Sequence, residues 1–251
     1  MEKVITAEEL ERRLDRMQAV QDCRNLMGIY SLLHTAYRNI EYCKYWANRD
    51  DDVLLMPWGA YYGIEGVKKC YLEDHGDRDD MDADDNPQLH GGMFMHCMDT
   101  EVLEIAEDGQ TARGIWLDPG HETYIRFPNG ADDLCEKPLT PGAWDEGIPN
   151  TDWCWGKYLV NFIREDGVWK FWQMQLFPLA RQSFYRCWTH NKPYEGHKFA
   201  MGDPLPEDIW EYNENLVYPA NRPEPPKPYK TFDMSIHGIL AQYDAGKEES
   251  K

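Results

Sequence analysis

Apolar residues recur at helical spacing along the first fifth of the chain. Leu10, Leu14, Met17, Val20, Leu26, Ile29, Leu32 and Leu33 keep a roughly helical spacing, with no proline before about Asn48. The stretch opens on Thr6-Ala-Glu-Glu9, a capping box in which Thr6 accepts a first-turn N–H and Glu9 reaches back to the Thr6 amide. The pattern predicts one long helix, or two in series. "DVLLMPWGAYYG" then reads as a short strand interrupted at Pro57, and "GIEGVKKCYLED" as a second helix with Ile64, Val67 and Tyr71 on one face.

Further on the period changes to two. "GGMFMHCMDTEVLEIAE" and "QTARGIWLDPGHET" flank Asp108-Gly109, and "TDWCWGKYLVNFIRE" and "VWKFWQMQLFPLAR" flank Asp166-Gly167. Asp-Gly between alternating runs signals a hairpin, because glycine supplies the positive φ of the turn. A Pro- and Gly-rich insertion, about 127–150, separates the two hairpins. After Arg181 regular patterning fades into a proline-rich stretch that still carries Trp210, Tyr212, Tyr218 and Tyr229. That content predicts an extended arm wrapped on its own domain or on a neighbouring subunit. The order of elements predicts an α+β fold with helices on one face of a curved antiparallel sheet. Residues 1–180 would form the domain and 181–251 the arm.

Composition narrows the partners. A formal charge of −19 repels nucleic acid and anionic lipid, which are bound through clustered Lys and Arg. No apolar run reaches the roughly 18 residues of a membrane span, and the N-terminus lacks the apolar core of a secretory signal. The seven scattered cysteines, without a C-x-x-C pair, fit reduced thiols. A soluble, cytoplasmic protein is the expectation. Asp80, Asp82 and Asp84 suggest a calcium loop but lack its glycine and its final glutamate. No nucleotide motif, serine elbow or zinc spacing is present, so neither a cofactor nor a metal is expected.

"IYSLLHTAYRNIEYCKYWA", "YYGIEGVKK", "DGQTARGIWLDPGHET" and "WGKYLVNFIREDGVWKFW" together resemble the nuclear transport factor 2-like superfamily, in its SnoaL-like (polyketide cyclase/dehydratase-like) branch, over about Gln18 to Pro178. The resemblance implies a cone: a strongly bent sheet wrapped on the long N-terminal helix, with a cavity between them. Relatives include dehydratases, isomerases, cyclases and lyases that need no cofactor, as well as non-catalytic binding and assembly modules. It also implies a homo-oligomer, a dimer or trimer.

Candidate residues follow from pattern and resemblance together. Tyr30 and His34 lie one helical turn apart and share a face, with Tyr37 near it. The resemblance puts a cavity tyrosine at Tyr30, with Tyr37 second. Phe94, His96 and Met98 share one face of their strand. The resemblance implies a catalytic histidine there, His96, with His90 as the competing assignment. It also implies an acid partner at Asp118, which shares its face with Trp116 and reads equally as a turn residue before Pro119-Gly120. Trp58, Trp155, Lys157, Trp172 and Gln173 are candidate ligand contacts. Many relatives carry a histidine where this chain has Gln173, which cannot exchange a proton at neutral pH.

These residues point to a cofactor-independent lyase, dehydratase or isomerase acting on an aromatic, phenolic or polycyclic small molecule. In that scheme Tyr30 stabilises an oxyanion, His96 moves the proton, Asp118 orients His96, and Trp155 and Trp172 hold the rings. The alternatives are a non-catalytic carrier of such ligands and an oligomeric assembly module.

Overall fold

The computed structural model describes residues 5–78, 93–125, 149–183, 202–205 and 222–244. His90, the acidic stretch around Asp82, the insertion and much of the arm lie outside the described residues.

Helix α1 runs Ala7–Thr35, and Thr6 accepts the Glu9 amide at 3.2 Å as the capping box requires. Its buried face is Ala19, Cys23, Leu26, Met27, Tyr30 and His34. The apolar stripe read from sequence is therefore only partly the core stripe. Leu10, Leu14, Met17 and Leu32 are 52%, 56%, 69% and 73% exposed, because at about 3.6 residues per turn they lie on the side of the helix opposite the buried face. The helix ends where Tyr37 takes a positive φ of 53°, which turns the chain into α2 (Asn39–Tyr42) and a single 3-10 turn. Two helices in series are what forms.

Strands β1 (Val53–Met56) and β2 (Gly59–Tyr62) make a tight hairpin around Pro57-Trp58. Helix α3 (Gly63–Lys68) widens into a π-helical stretch over Lys69–Asp74, a departure from α geometry often found at functional sites. Strands β3 (Met93–Met95), β4 (Asp99–Ile105), β5 (Thr111–Ile125), β6 (Pro149–Glu165) and β7 (Val168–Ser183) complete the sheet. Its order is β2-β1-β7-β6-β5-β3, with β4 also on β5, seven strands among the described residues. All pairs are antiparallel except β1 with β7. The curved, unclosed sheet wraps α1, and the result is the α+β cone that the resemblance implies.

Two departures from simple alternation position the site. The first β run is broken: Met93–Met95 of β3 pair with Thr123–His121 of β5, and β4 pairs lower on that same strand. The gap opposite Asp118–Gly120 is where His96 enters. Pro119 lies opposite this interruption, where its missing N–H costs the edge ladder nothing. Second, the β6–β7 register shifts between Asn161 and Phe162. One extra residue there, Trp172, reverses the facing of everything after it. Phe171 and Met174 both reach the inner core, while Gln173 turns outward. The strict alternation expected from sequence put Phe171 and Gln173 on one face; the bulge separates them.

The main core fills the concave side beneath α1. A second, smaller cluster on the outer face contains Val53, Leu55, Ala60, Leu159, Phe177 and Ile239. Ile239 lies between α4 (Met234–His237) and α5 (Ala241–Asp244), so this part of the arm packs on the outer side of the chain's own sheet.

Candidate active site

At the open end of the concave face, α1, the β1–β2 turn, the π-helical stretch and strands β3, β5, β6 and β7 converge on one cavity. Tyr30, His34, Trp58, His75, Phe94, His96, Glu122 and Tyr158 are among its lining. It measures about 20 Å³, room for about one water molecule.

His96 is the electrostatic centre. It is 4% exposed, its Nδ1 donates to Asp118 Oδ2 at 2.7 Å, and its Nε2 lies 3.4 Å from Glu122 Oε1. Burial works against a charge on the ring. The Asp118 carboxylate and hydrogen bond, joined by Glu122, outweigh it and raise the pKa to about 10. His96 is thus an imidazolium at neutral pH, held at both nitrogens. Burial pushes the Asp118 carboxyl up, while the imidazolium and the Cys97 backbone N–H oppose the rise. Gly120 makes the geometry possible. A Cβ there would meet Cys154 O at 2.5 Å, His96 Nδ1 at 3.0 Å and Asp118 Oδ1 at 3.3 Å. Ser31 also holds the His96 carbonyl by donating its hydroxyl.

Two further histidines flank the imidazolium in the opposite protonation state. His34 Nδ1 meets Asn39 Oδ1 at 3.0 Å, and the Asn39 amide is oriented by its own Nδ2 donating to Gly76 O at 2.7 Å. The Asn39 oxygen therefore accepts, and His34 carries its proton on Nδ1. Burial, with the neighbouring His75 and His96, pushes its pKa down to about 3, so the ring is neutral. His75 Nδ1 donates to Cys70 O at 2.7 Å, and burial lowers its pKa as well. The π-helical stretch delivers this ring, which packs 5.2 Å from His34 and 5.2 Å from Trp58. His34 in turn stacks on His96 at 5.7 Å.

The floor is phenolic. Tyr30 and Tyr158 hydroxyls lie 2.9 Å apart, and burial raises both pKa values above the usual tyrosine range. Both stay protonated, and each can donate a hydrogen bond without ionising.

The structure thus gathers Tyr30, His34, His96, Asp118 and Trp58 from the sequence candidates. Trp155 contributes to the wall but has the parity opposite to Cys154 and Tyr158, and its ring meets Trp153 edge-on at 5.7 Å. The others lie elsewhere. Tyr37, past the helix end, packs on Phe94 at 5.2 Å. Trp116 shares the Asp118 face, as alternation predicts, but lies deeper in the core against Phe162. Lys157 reaches the Arg222 carbonyl. Trp172 packs on Phe232 and donates to Asp51, and Gln173 binds Asn161 and the Ile239 amide. The β7 bulge and the opposite parity of Lys157 are why these three do not line the cavity.

Sequence reasoning missed Glu122, His75 and Tyr158. Glu122 has the parity of Asp118 on β5 and Tyr158 that of Cys154 on β6, so alternation could have found both. His75 sits at the edge of an acidic stretch and carried no periodic signal.

Among the described residues, no three His, Cys, Asp or Glu side chains are grouped to hold a metal ion, and no helix is long and apolar enough to cross a membrane.

No protein-family model and no curated protein matches the chain. Solved structures do. A type 2 hexachlorocyclohexane dehydrochlorinase (LinA) is similar with a TM-score of 0.49 at 17% identity, over 73% of this chain and 99% of that one. An NTF2-like protein with a cystatin-like fold from Novosphingobium aromaticivorans gives 0.46 at 12% identity, over 69% and 90%. A scytalone dehydratase-like protein from the same organism gives 0.43 at 15%, over 71% and 93%. These similarities bear on neither activity nor substrate, which rest on the cavity itself.

Proposed function

We propose that the chain is a cofactor-independent lyase (dehydratase-like) or isomerase that moves a proton on an aromatic or phenolic small molecule. The observation that carries this reading is His96, a buried imidazolium held between two carboxylates in a cavity that also presents hydroxyl donors. Strongly shifted ionisable groups converging on one cavity are the usual mark of acid–base chemistry.

For an elimination of water the steps balance within the chain's own residues. Glu122 takes a proton from the substrate carbon, the new carbon–carbon double bond forms, and the carbon–oxygen bond breaks. His96 gives its Nε2 proton to the departing hydroxyl, which leaves as water. Glu122, 3.4 Å from His96 Nε2, then returns its proton to the imidazole and restores the resting state. Asp118 fixes the ring and stabilises its charge. Of the hydrogen-bonded pair Tyr30 and Tyr158, one hydroxyl donates to the other and the second donates to an oxyanion developing on the substrate, the preorganised stabilisation that such chemistry needs. An isomerisation would use the same groups, with the proton returned to a different carbon. Phe94 and Trp58 supply ring faces for an aromatic ligand.

A second reading, a non-catalytic binding or assembly module, is favoured by one observation: the cavity of about 20 Å³ must open before a ring can enter. Under that reading the exposed Leu10, Leu14 and Met17 would serve contacts in a homo-oligomer.

The test is ultraviolet absorbance over time with phenolic diols, hydroxylated steroids and aryl dimers, without added cofactor. Wild type runs beside His96→Ala, Glu122→Gln and Tyr30→Phe. Turnover that falls by about 10²-fold or more in the first two variants supports the lyase or isomerase. Turnover indifferent to both would remove this site, and silence across the panel would favour the module.

A further inference from the structure

The mechanism above uses His96 and leaves His34 and His75 unassigned, although both line the same cavity. Their chemistry is fixed by what holds them. Each donates its Nδ1 proton to an oxygen on the protein, His34 to Asn39 Oδ1 and His75 to Cys70 O. A neutral imidazole with its proton on Nδ1 has a lone pair on Nε2 and nothing else to offer there. Among the described residues no hydrogen bond is made by either Nε2, although His34 is 4% exposed and its ring is enclosed by Tyr30, Tyr71, His75, Phe94 and His96. Neither Nε2 is among the fully buried side-chain atoms that lack a partner, so each keeps access to the cavity, where a ligand hydroxyl can donate to it. Asn39 and Gly76 lock the His34 tautomer from one side, and the His96 proton on Nε2 is directed to Glu122.

We propose that His34 and His75 form a hydroxyl-accepting subsite, and that the ligand of this cavity carries free hydroxyl hydrogens, as a catechol or other vicinal or phenolic diol does. The two rings lie 5.2 Å apart, so one ligand edge bearing neighbouring hydroxyls can address both. An ether or an unsubstituted ring leaves both lone pairs buried and unpaired, and a free carboxylate would meet two further acceptors and two carboxylates. The pair therefore selects against O-methylated and anionic ligands, while Trp58 beside His75 and Phe94 beside His34 supply the stacking surface. This deepens the lyase or isomerase reading by naming its substrate class, and it rests on the cavity being a ligand chamber.

Isothermal calorimetry with catechol and 1,2-dimethoxybenzene on the purified full chain separates the possibilities without needing turnover. Catechol should bind wild type at least about tenfold more tightly than its dimethyl ether, since a site built around a hydrogen bond rejects the analogue that lacks the donor. His75→Leu should narrow that ratio to about threefold or less, and His75→Gln, whose amide oxygen still accepts, should keep most of it. Nitrogen-15 NMR of the histidine rings gives a second readout: catechol should move the unprotonated Nε2 resonances of His34 and His75, and the ether should not. Equal binding of the two ligands, or binding of neither, would overturn the proposal. Hydroxyl selectivity without any turnover across the substrate panel would keep the subsite and remove the lyase. Turnover with methyl ethers accepted as readily as diols would do the reverse.

Discussion

The two faces of the same sheet bury polar groups in opposite ways. On the outer face the Gln173 oxygen accepts from Asn161 Nδ2 at 2.9 Å and from the Ile239 amide at 3.0 Å. Gln175 accepts from Gln242 at 2.7 Å and donates to Tyr243, and Asn161 also donates to the His237 carbonyl at 3.0 Å. Asn161 Oδ1 aside, these amides have their partners, and beyond the Asn161–Gln173 pair the partners belong to the arm. On the inner face the histidines are held at one nitrogen and open at the other, or held at both by charge. Neutral, satisfied amides hold a surface in place and have nothing left to give a ligand. The inner cluster keeps capacity in reserve, at a cost in stability that the surrounding core must offset.

The largest expected effect sharpens this contrast on the inner side. Glu122→Gln removes the proposed base and one of the two charges that hold His96. Turnover should fall by about 10²–10⁴-fold, and the His96 pKa should drop below its value of about 10, read by NMR titration. If the pKa stays put, Asp118 alone holds the imidazolium.

Acid and base should unfold the protein from different histidines. His34 is depressed to about 3 from a reference near 6.5, so between those values the unfolded chain binds more protons, and stability falls as pH drops from about 6.5 towards 3. His96 is raised to about 10, so its contribution is complete below about 6.5 and is lost as pH rises through 10. Denaturant midpoints across pH should decline on both flanks. His34→Gln should flatten the acid side, and His96→Gln the alkaline side.

Gly120→Ala is the next test in size. Its methyl would meet backbone and the His96 ring, and overpacking of this kind costs about 1–3 kcal/mol. Activity should fall with stability, because the displaced ring is the proposed acid. A smaller effect is expected outside: Gln173→Leu leaves the Ile239 and Asn161 donors unpaired, costing about 1–2 kcal/mol, with catechol binding unchanged. Loss of binding there would mean that the two faces are coupled through β7.

The cone and most of the inner cluster were legible in the sequence. The capping box at Thr6, the two Asp-Gly turns and the change of period set the order of elements, and helical and strand periodicity together with the resemblance point to Tyr30, His34, His96 and Asp118. What was not legible depends on register. A single extra residue at Trp172 moved Gln173 to the opposite face, and no local pattern announces a bulge. Leu10, Leu14 and Met17 are exposed because they lie on the side of α1 opposite Ala19, Cys23 and Tyr30, and which side the sheet takes is a tertiary fact. His75 depends on a π-helical stretch and on an α1–α2 corner that grips Asp77 through the Ile40 amide at 2.6 Å. Glu122 needed only the parity of Asp118 on β5 carried four residues further.

The measurement that bears most directly on the central claim is the protonation of His96 in the free protein, followed by nitrogen-15 NMR from pH 5 to 11. The account predicts both His96 ring nitrogens protonated at pH 8, with a midpoint near 10, while His34 shows the Nδ1-protonated neutral form throughout that range and His75 shows it at pH 8. A His96 midpoint near 6.5, or a neutral ring at pH 8, would contradict it and leave the cavity without its acid.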